Sequence, residues 1–229
     1  MRIMMLTVLF FVLTIAVYVV MNFFYVKYRR SFLIPILTST VAMIVILLLF
    51  KVPYTTYMIG GKWLDILLGP AIVALAIPLY KQKDVLKKNV LPIIGGVLVG
   101  VLAGMLSGVL FAKLFGFSQD IILSLLPKSI TTPIAIQITA AVGGISSLAT
   151  VFVMIAGFSG VIFGPLLFKW TRMDTAMGRG IGLGAAAHAL GTSKAIELGE
   201  QEASMSSVAM TLCAIIGSVL GPVMVWVFY

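Results

Sequence analysis

Leu126-Pro127-Lys128-Ser129-Ile130-Thr131-Thr132-Pro133 stands in the middle of an otherwise apolar run, residues 119–142. Each proline lacks the backbone donor a helix needs and collides with the preceding turn, so no single helix passes through both. The residues between them are a lysine, three hydroxyls and one isoleucine. A run that is apolar at both ends and broken, basic and hydroxylated at its centre has the makings of a re-entrant hairpin, which dips into a bilayer and returns to the same face.

The remainder of the chain supplies the bilayer context. Of its 229 residues, 61% are hydrophobic and 10% charged, whereas soluble domains carry roughly a quarter charged residues. Apolar segments occur at about 3–26, 32–50, 63–80, 91–112, 119–142, 146–168, 180–198 and 203–228. A helix needs about 20 apolar residues to cross the hydrocarbon core, where unpaired backbone groups are intolerable. The segments do not alternate apolar and polar residues, which excludes a β-barrel. The first segment has no small-residue cleavage site and is longer than a signal-peptide core, so it is expected to stay as a span. The chain is therefore expected to be an all-α polytopic membrane protein.

Lys and Arg number 16 against seven acids, a formal charge of +9. They sit in short clusters between apolar segments rather than along one polar face, which reads as a topology signal and not as a nucleic-acid surface. If 119–142 crossed once, Lys169, Arg172 and Arg179 would fall outside and the glutamates at 197, 200 and 202 inside, against the positive-inside rule. If it is re-entrant, the basic groups at 27–30, 81–88 and 169–179 share the cytoplasmic face. The expectation is thus about seven crossings plus one broken hairpin, with the N-terminus outside, the C-terminus inside and Glu197, Glu200 and Glu202 outside.

An internal similarity accompanies this topology. Leu68-Gly69-Pro70-Ala71-Ile72-Val73-Ala74-Leu75 resembles Leu183-Gly184-Ala185-Ala186-Ala187-His188-Ala189-Leu190, and a Leu-Leu-Phe-Lys string precedes each copy, at 48–51 and 166–169. The two copies would run in opposite directions, as in the inverted repeats of secondary transporters, whose substrate sites lie near the midplane where broken helices meet. The chain is read as one transmembrane domain, 1–229, with halves at approximately 31–112 and 146–229 around the hairpin 119–142.

Two constellations can carry chemistry. In the first, Lys128, Ser129, Thr131 and Thr132 cluster between the prolines, Pro133 can open a half-helix, and Gln137 follows. A helix N-terminus together with a lysine and hydroxyls attracts an anion; the alternative is a solvent-exposed loop. The second is Gly182 to Glu197, where His188 and Thr192 lie one turn apart, Gly191 adjoins them, and Lys194 is placed to pair with Glu197. An ionisable residue inside a span is costly and usually faces a cavity, so His188 can bind a carboxylate or relay a proton; the alternative is a structural hydrogen bond between helices. One histidine, one cysteine (Cys213) and seven acids assemble neither a zinc site nor a nucleophile triad, so no catalytic residue, metal or cofactor is expected. Cys213 allows no intrachain disulfide.

The strings Leu68-Gly69-Pro70-Ala71, Ala74-Leu75-Ala76-Ile77-Pro78-Leu79-Tyr80-Lys81-Gln82, Leu125 to Ala135, Gly143-Gly144-Ile145 and His188-Ala189-Leu190-Gly191-Thr192 closely resemble the LrgB/CidB family over nearly the whole chain. The resemblance implies a bacterial plasma-membrane protein that works beside a small LrgA/CidA-type membrane subunit. The family was named for holin-like or antiholin-like modulation of murein hydrolases and autolysis. Relatives resemble carriers of small carboxylates such as pyruvate, glycolate and glycerate. Ser193-Lys194 departs from the Ala-Arg of many members and Leu190 from the usual Ile, though position 194 stays basic. The expected function is transport of a small monocarboxylate by a homo-oligomer in the lipid bilayer, with Lys128, Ser129, Thr131, Thr132, Pro133, Gln137, His188, Gly191, Thr192 and Lys194 as the binding residues. A holin-like pore former is the alternative.

Overall fold

The computed structural model describes residues 2–28, 33–74 and 76–229, and among them no strand occurs. Arg29 and Arg30 of the first basic group, and Leu75 of the first repeat copy, lie outside the described residues. The chain divides into two units, 1–71 and 72–229.

In the first unit, α1 (Arg2–Tyr28) carries α2 (Pro35–Leu49) and α3 (Tyr54–Ile66) on its flank. Pro35 opens α2 at its first turn, where its missing donor costs nothing. Gly60 lets α3 approach α1 so closely that a Cβ there would lie 2.6 Å from the Thr7 carbonyl oxygen. Thr14 Oγ1 and the Tyr57 hydroxyl stand 3.2 Å apart, and Phe10 meets Tyr57 edge-on. The remaining face of α1 leaves Ile3, Val8, Val12, Val19 and Phe23 exposed, which suits contact with lipid tails.

The expected crossing at 63–80 is not one helix. It is the end of α3, then α4 (Leu68–Ala74) and α5 (Ala76–Lys81). Pro70 explains the first break, since proline is tolerated in the opening turn of a helix but not in its middle. A short basic helix, α6 (Lys83–Lys88), leads into the second unit's long helices.

These are α7 (Val90–Leu114), α10 (Ser146–Trp170) and α12 (Glu200–Phe228), separated by α8 (Gln119–Leu125), α9 (Thr132–Val142) and α11 (Ala176–Leu198). With α1, the three long helices are the four described helices long and apolar enough to cross a bilayer. One face of α7 carries glycines at 96, 100, 104 and 108 and, one residue on, the buried Val97, Val101, Met105 and Val109. Small residues at four-residue spacing admit close helix packing, and the adjoining apolar row meets Met205, Val208, Ala209 and Cys213 of α12 in the core.

Residues 119–142 form the expected broken hairpin. Leu125 backs onto Gly108 of α7 and Ser129 onto Gly104, so α8 climbs back along the helix it follows. Then α9 descends: Ile130 lies on Gly217 of α12 and Ile138 on Gly221. The end of α12 is tied to the end of α7 by Lys113 Nζ donating to the Phe228 carbonyl at 2.9 Å. Both ends of the hairpin are thus at the end of the unit where α7 and α12 finish. Ile145 N, just past the second limb, ties the limbs together by donating to Ser124 Oγ near the end of the first at 2.7 Å.

The seventh segment corrects the expectation, for α11 does not cross. Its helix is interrupted at His188, whose φ of 43° and ψ of −124° reverse the chain. Gly184 packs against Ser206, and Thr192 Oγ1 stands 2.9 Å from Ser206 Oγ. In an unbroken helix Gly184 and Thr192 would be about 12 Å apart. Leu198 lines the same cavity, about 270 Å³, as Arg179 and Glu202. So α11 is a second hairpin, with limbs at 176–187 and 189–198, rooted where α7 begins and α10 ends. Glu202 consequently lies beside Arg179 and not across the bilayer from it. The C-terminal Tyr229 and the basic groups at 81–88 and 169–179 occupy opposite ends of the unit, which also corrects their expected shared face.

Candidate functional site

The two hairpins enter from opposite ends and meet about half-way along α7. Local chemistry explains each turn. In the first, Pro127 and Pro133 exclude continuous helix, and 126–131 turn through bonds from Lys128 N to Leu125 O and from Ile130 N to Pro127 O. In the second, His188 adopts backbone angles close to those of the first central residue of a type II′ turn, a conformation glycine dominates. Such strain in a residue with a side chain costs on the order of 1–3 kcal/mol and gathers at functional sites. Close packing holds it: Gly157 and Gly160 of α10 back onto His188, Leu190 and Ala187, and Gly191 sits so near Leu183 that a Cβ would overlap its carbonyl oxygen.

At the meeting point the imidazole faces the backbone of Lys128. His188 is 4% exposed, and its Nε2 has no partner among the described residues. Lys128 Nζ donates to the Gly104 carbonyl oxygen and, at 3.3 Å, to Ser107 Oγ. Thr131 is buried at the cap of α9, where its side chain makes no capping bond, and Thr132 and Pro133 form the first turn. The first turn of α9 and the start of the second limb of α11 lie at the two tips, with the unpaired imidazole nitrogen beside the Lys128 backbone and the Lys128 ammonium turned onto α7. That is an environment for a small anion.

The structure brings together Lys128, Ser129, Thr131, Thr132, Pro133 and His188. Gly191 and Thr192 lie one turn down the second limb, where Thr192 also donates to the His188 carbonyl oxygen at 3.0 Å and so braces the turn. Gln137 and Lys194 stand apart from the tips. Gln137 is on the exposed face of α9, and Lys194 pairs with Glu197 at 2.6 Å nearer the root of α11. Sequence reasoning missed Gly104, Ser107 and Ser206. The four-residue glycine spacing in α7 was a usable signal for Gly104; a lone serine in an apolar run gave none for Ser107.

A multi-pass helical membrane protein, whose long helices alternate with two hairpins meeting tip to tip, is the class that fold and site define. The LrgB-like family model matches residues 14–227, and the chain belongs to that family. It is 56% identical over 222 residues to YxaC of Bacillus subtilis (strain 168), covering 97% of this chain and 96% of that one. It is 37% identical over 221 residues to holin-like protein CidB of Staphylococcus aureus (strain N315), covering 96% of each. The same name and identity recur in Staphylococcus epidermidis (strain ATCC 12228), over 222 residues and 97% of each chain. No solved structure matches the chain.

Proposed function

We propose that the protein carries small monocarboxylates, of the pyruvate, glycolate and acetate class, across a bacterial plasma membrane. It acts as a homo-oligomer with a small LrgA/CidA-type subunit and thereby modulates murein hydrolase activity and autolysis. One observation carries the reading: Lys128, the α9 N-terminus and the unpartnered His188 Nε2 all belong to the two tips where the hairpins meet. Two hairpins rooted at opposite ends, each following a full-length helix, are in keeping with the inverted relation expected between the halves 31–112 and 146–229. Broken helices that converge in this way are how secondary transporters build substrate sites.

The test is uptake of labelled pyruvate, glycolate and acetate into vesicles holding the protein, with and without the small subunit. Uptake should saturate, and Lys128→Met should abolish it while membrane insertion is unchanged. Normal uptake by that variant would reduce 126–133 to a plain loop. A second reading, a holin-like pore that regulates murein hydrolases without carrying solutes, is favoured by the name of the staphylococcal relatives. It requires non-saturating leakage of neutral and charged solutes alike.

A further inference from the structure

We infer that Ser107 and the Gly104 carbonyl of α7 compete with the carried carboxylate for the Lys128 ammonium, so that Ser107 sets how tightly substrate is held. The inference rests on the carboxylate-carrier reading above and adds a residue that reading does not use.

The first hairpin's tip is seated on α7. Nζ of Lys128 donates to the Gly104 carbonyl oxygen and to Ser107 Oγ at 3.3 Å, and Ser107 Oγ itself donates to the Gly104 carbonyl oxygen at 3.1 Å. The three groups form a closed triangle. A Cβ added at Gly108 would lie 3.5 Å from Nζ, so the ammonium is pressed close to the helix. The side-chain ion pairs of the described residues are Arg179–Glu202 and Lys194–Glu197, and neither includes Lys128. Its charge is met by two neutral acceptors belonging to one turn of α7.

An ammonium has three donors, and two of them are directed at α7. A carboxylate carries a full negative charge and so attracts an ammonium more strongly than a neutral acceptor does. It therefore draws Nζ away, and the longer contact, to Ser107, is the first to yield. Every contact that Lys128 makes with α7 subtracts from its contact with substrate, and the same contacts take the ammonium back when substrate leaves. Ser107 thus favours release at the expense of affinity.

Concentration-dependent uptake of labelled pyruvate into proteoliposomes tests this with three variants. Ser107→Ala should lower KM about twofold to tenfold, the range for one lost hydrogen bond, without raising the maximal rate, and Ser107→Thr should return KM towards the original. Ser107→Asp places a carboxylate in the triangle and should abolish uptake with insertion intact. An unchanged or raised KM in Ser107→Ala, or normal uptake by Ser107→Asp, overturns the inference. If Lys128→Met abolishes uptake and KM in Ser107→Ala does not fall, this inference alone fails. If Lys128→Met transports normally, the carrier site itself is wrong and the competition falls with it.

Discussion

Two nitrogens of Arg179 hold one oxygen of Glu202: Nη2 reaches Oε1 at 2.7 Å and Nε reaches it at 3.2 Å. The first residue opens α11 and the second opens α12, so both helices start at one end of the unit. Labelling of introduced thiols from either side, in a background where the buried Cys213 is replaced by Ala, checks this arrangement. Thiols at Lys83, Arg172 and Glu200 should react from one face and thiols at Phe117 and Tyr229 from the other. Reaction of Glu200→Cys from the face opposite Arg172→Cys would mean that α11 crosses.

The same pair should contribute to stability in a way that depends on how it is broken. Glu202 is almost fully buried and Arg179 is about 29% exposed at the side chain. Arg179→Met leaves an unpaired carboxylate in a buried place, which costs roughly 1–3 kcal/mol once the partial exposure is allowed for. The double variant Arg179→Met/Glu202→Met should recover most of that loss. Thermal melts of the purified protein in detergent measure it, and a double variant no more stable than Arg179→Met would remove the pair from the account of the root.

At His188 backbone and side chain pull in different directions. Its φ of 43° is glycine territory, so His188→Gly should be more stable than His188→Ala by about 1 kcal/mol or more in thermal melts, since both lose the ring and only one keeps the strain. Both should lose pyruvate uptake. A glycine variant that transports normally would leave the imidazole with a packing role only.

Gly104 and Gly95 lie in the same helix and separate steric from general effects. A Cβ at Gly104 would lie 2.5 Å from Ser129 Oγ, whereas one at Gly95 meets nothing within 4 Å. Gly95→Ala should be neutral or stabilising by up to about 1 kcal/mol from helix propensity. Gly104→Ala should push the first tip off α7 and lower uptake at least about tenfold, an effect of some 1.4 kcal/mol at the barrier. Equal uptake by the two variants would uncouple the tip from transport.

The first hairpin was legible because Pro127 and Pro133 cannot be absorbed into a helix, and the charge clusters required its ends to share a face. The second was not, because its turning residue is a histidine. Ala185 to Leu190 reads locally as good helix, and what reverses it is packing against Gly157, Gly160 and Ser206, which no local pattern contains. The error then propagated to the glutamates and the C-terminus, whose positions depend on counting crossings. At the site, Lys128, the hydroxyls beside it and His188 stood out because polar groups in apolar runs are costly. Gln137 and Lys194 stood out for the same reason, and the structure uses one on an exposed face and the other in a local ion pair.

The second hairpin also bears on how the chain is made. Between two helices apolar enough to be threaded through the bilayer, α10 and α12, lies one that is not among them. Residues 176–198 have little apolar surface of their own to offer lipid, and their glycines and alanines fit against α7, α10 and α12. Those neighbours must be in the membrane before the hairpin has walls to enter, and α12 is synthesised after it. Insertion and folding are therefore not separate acts here: the last helix has to arrive before the one preceding it can take its place.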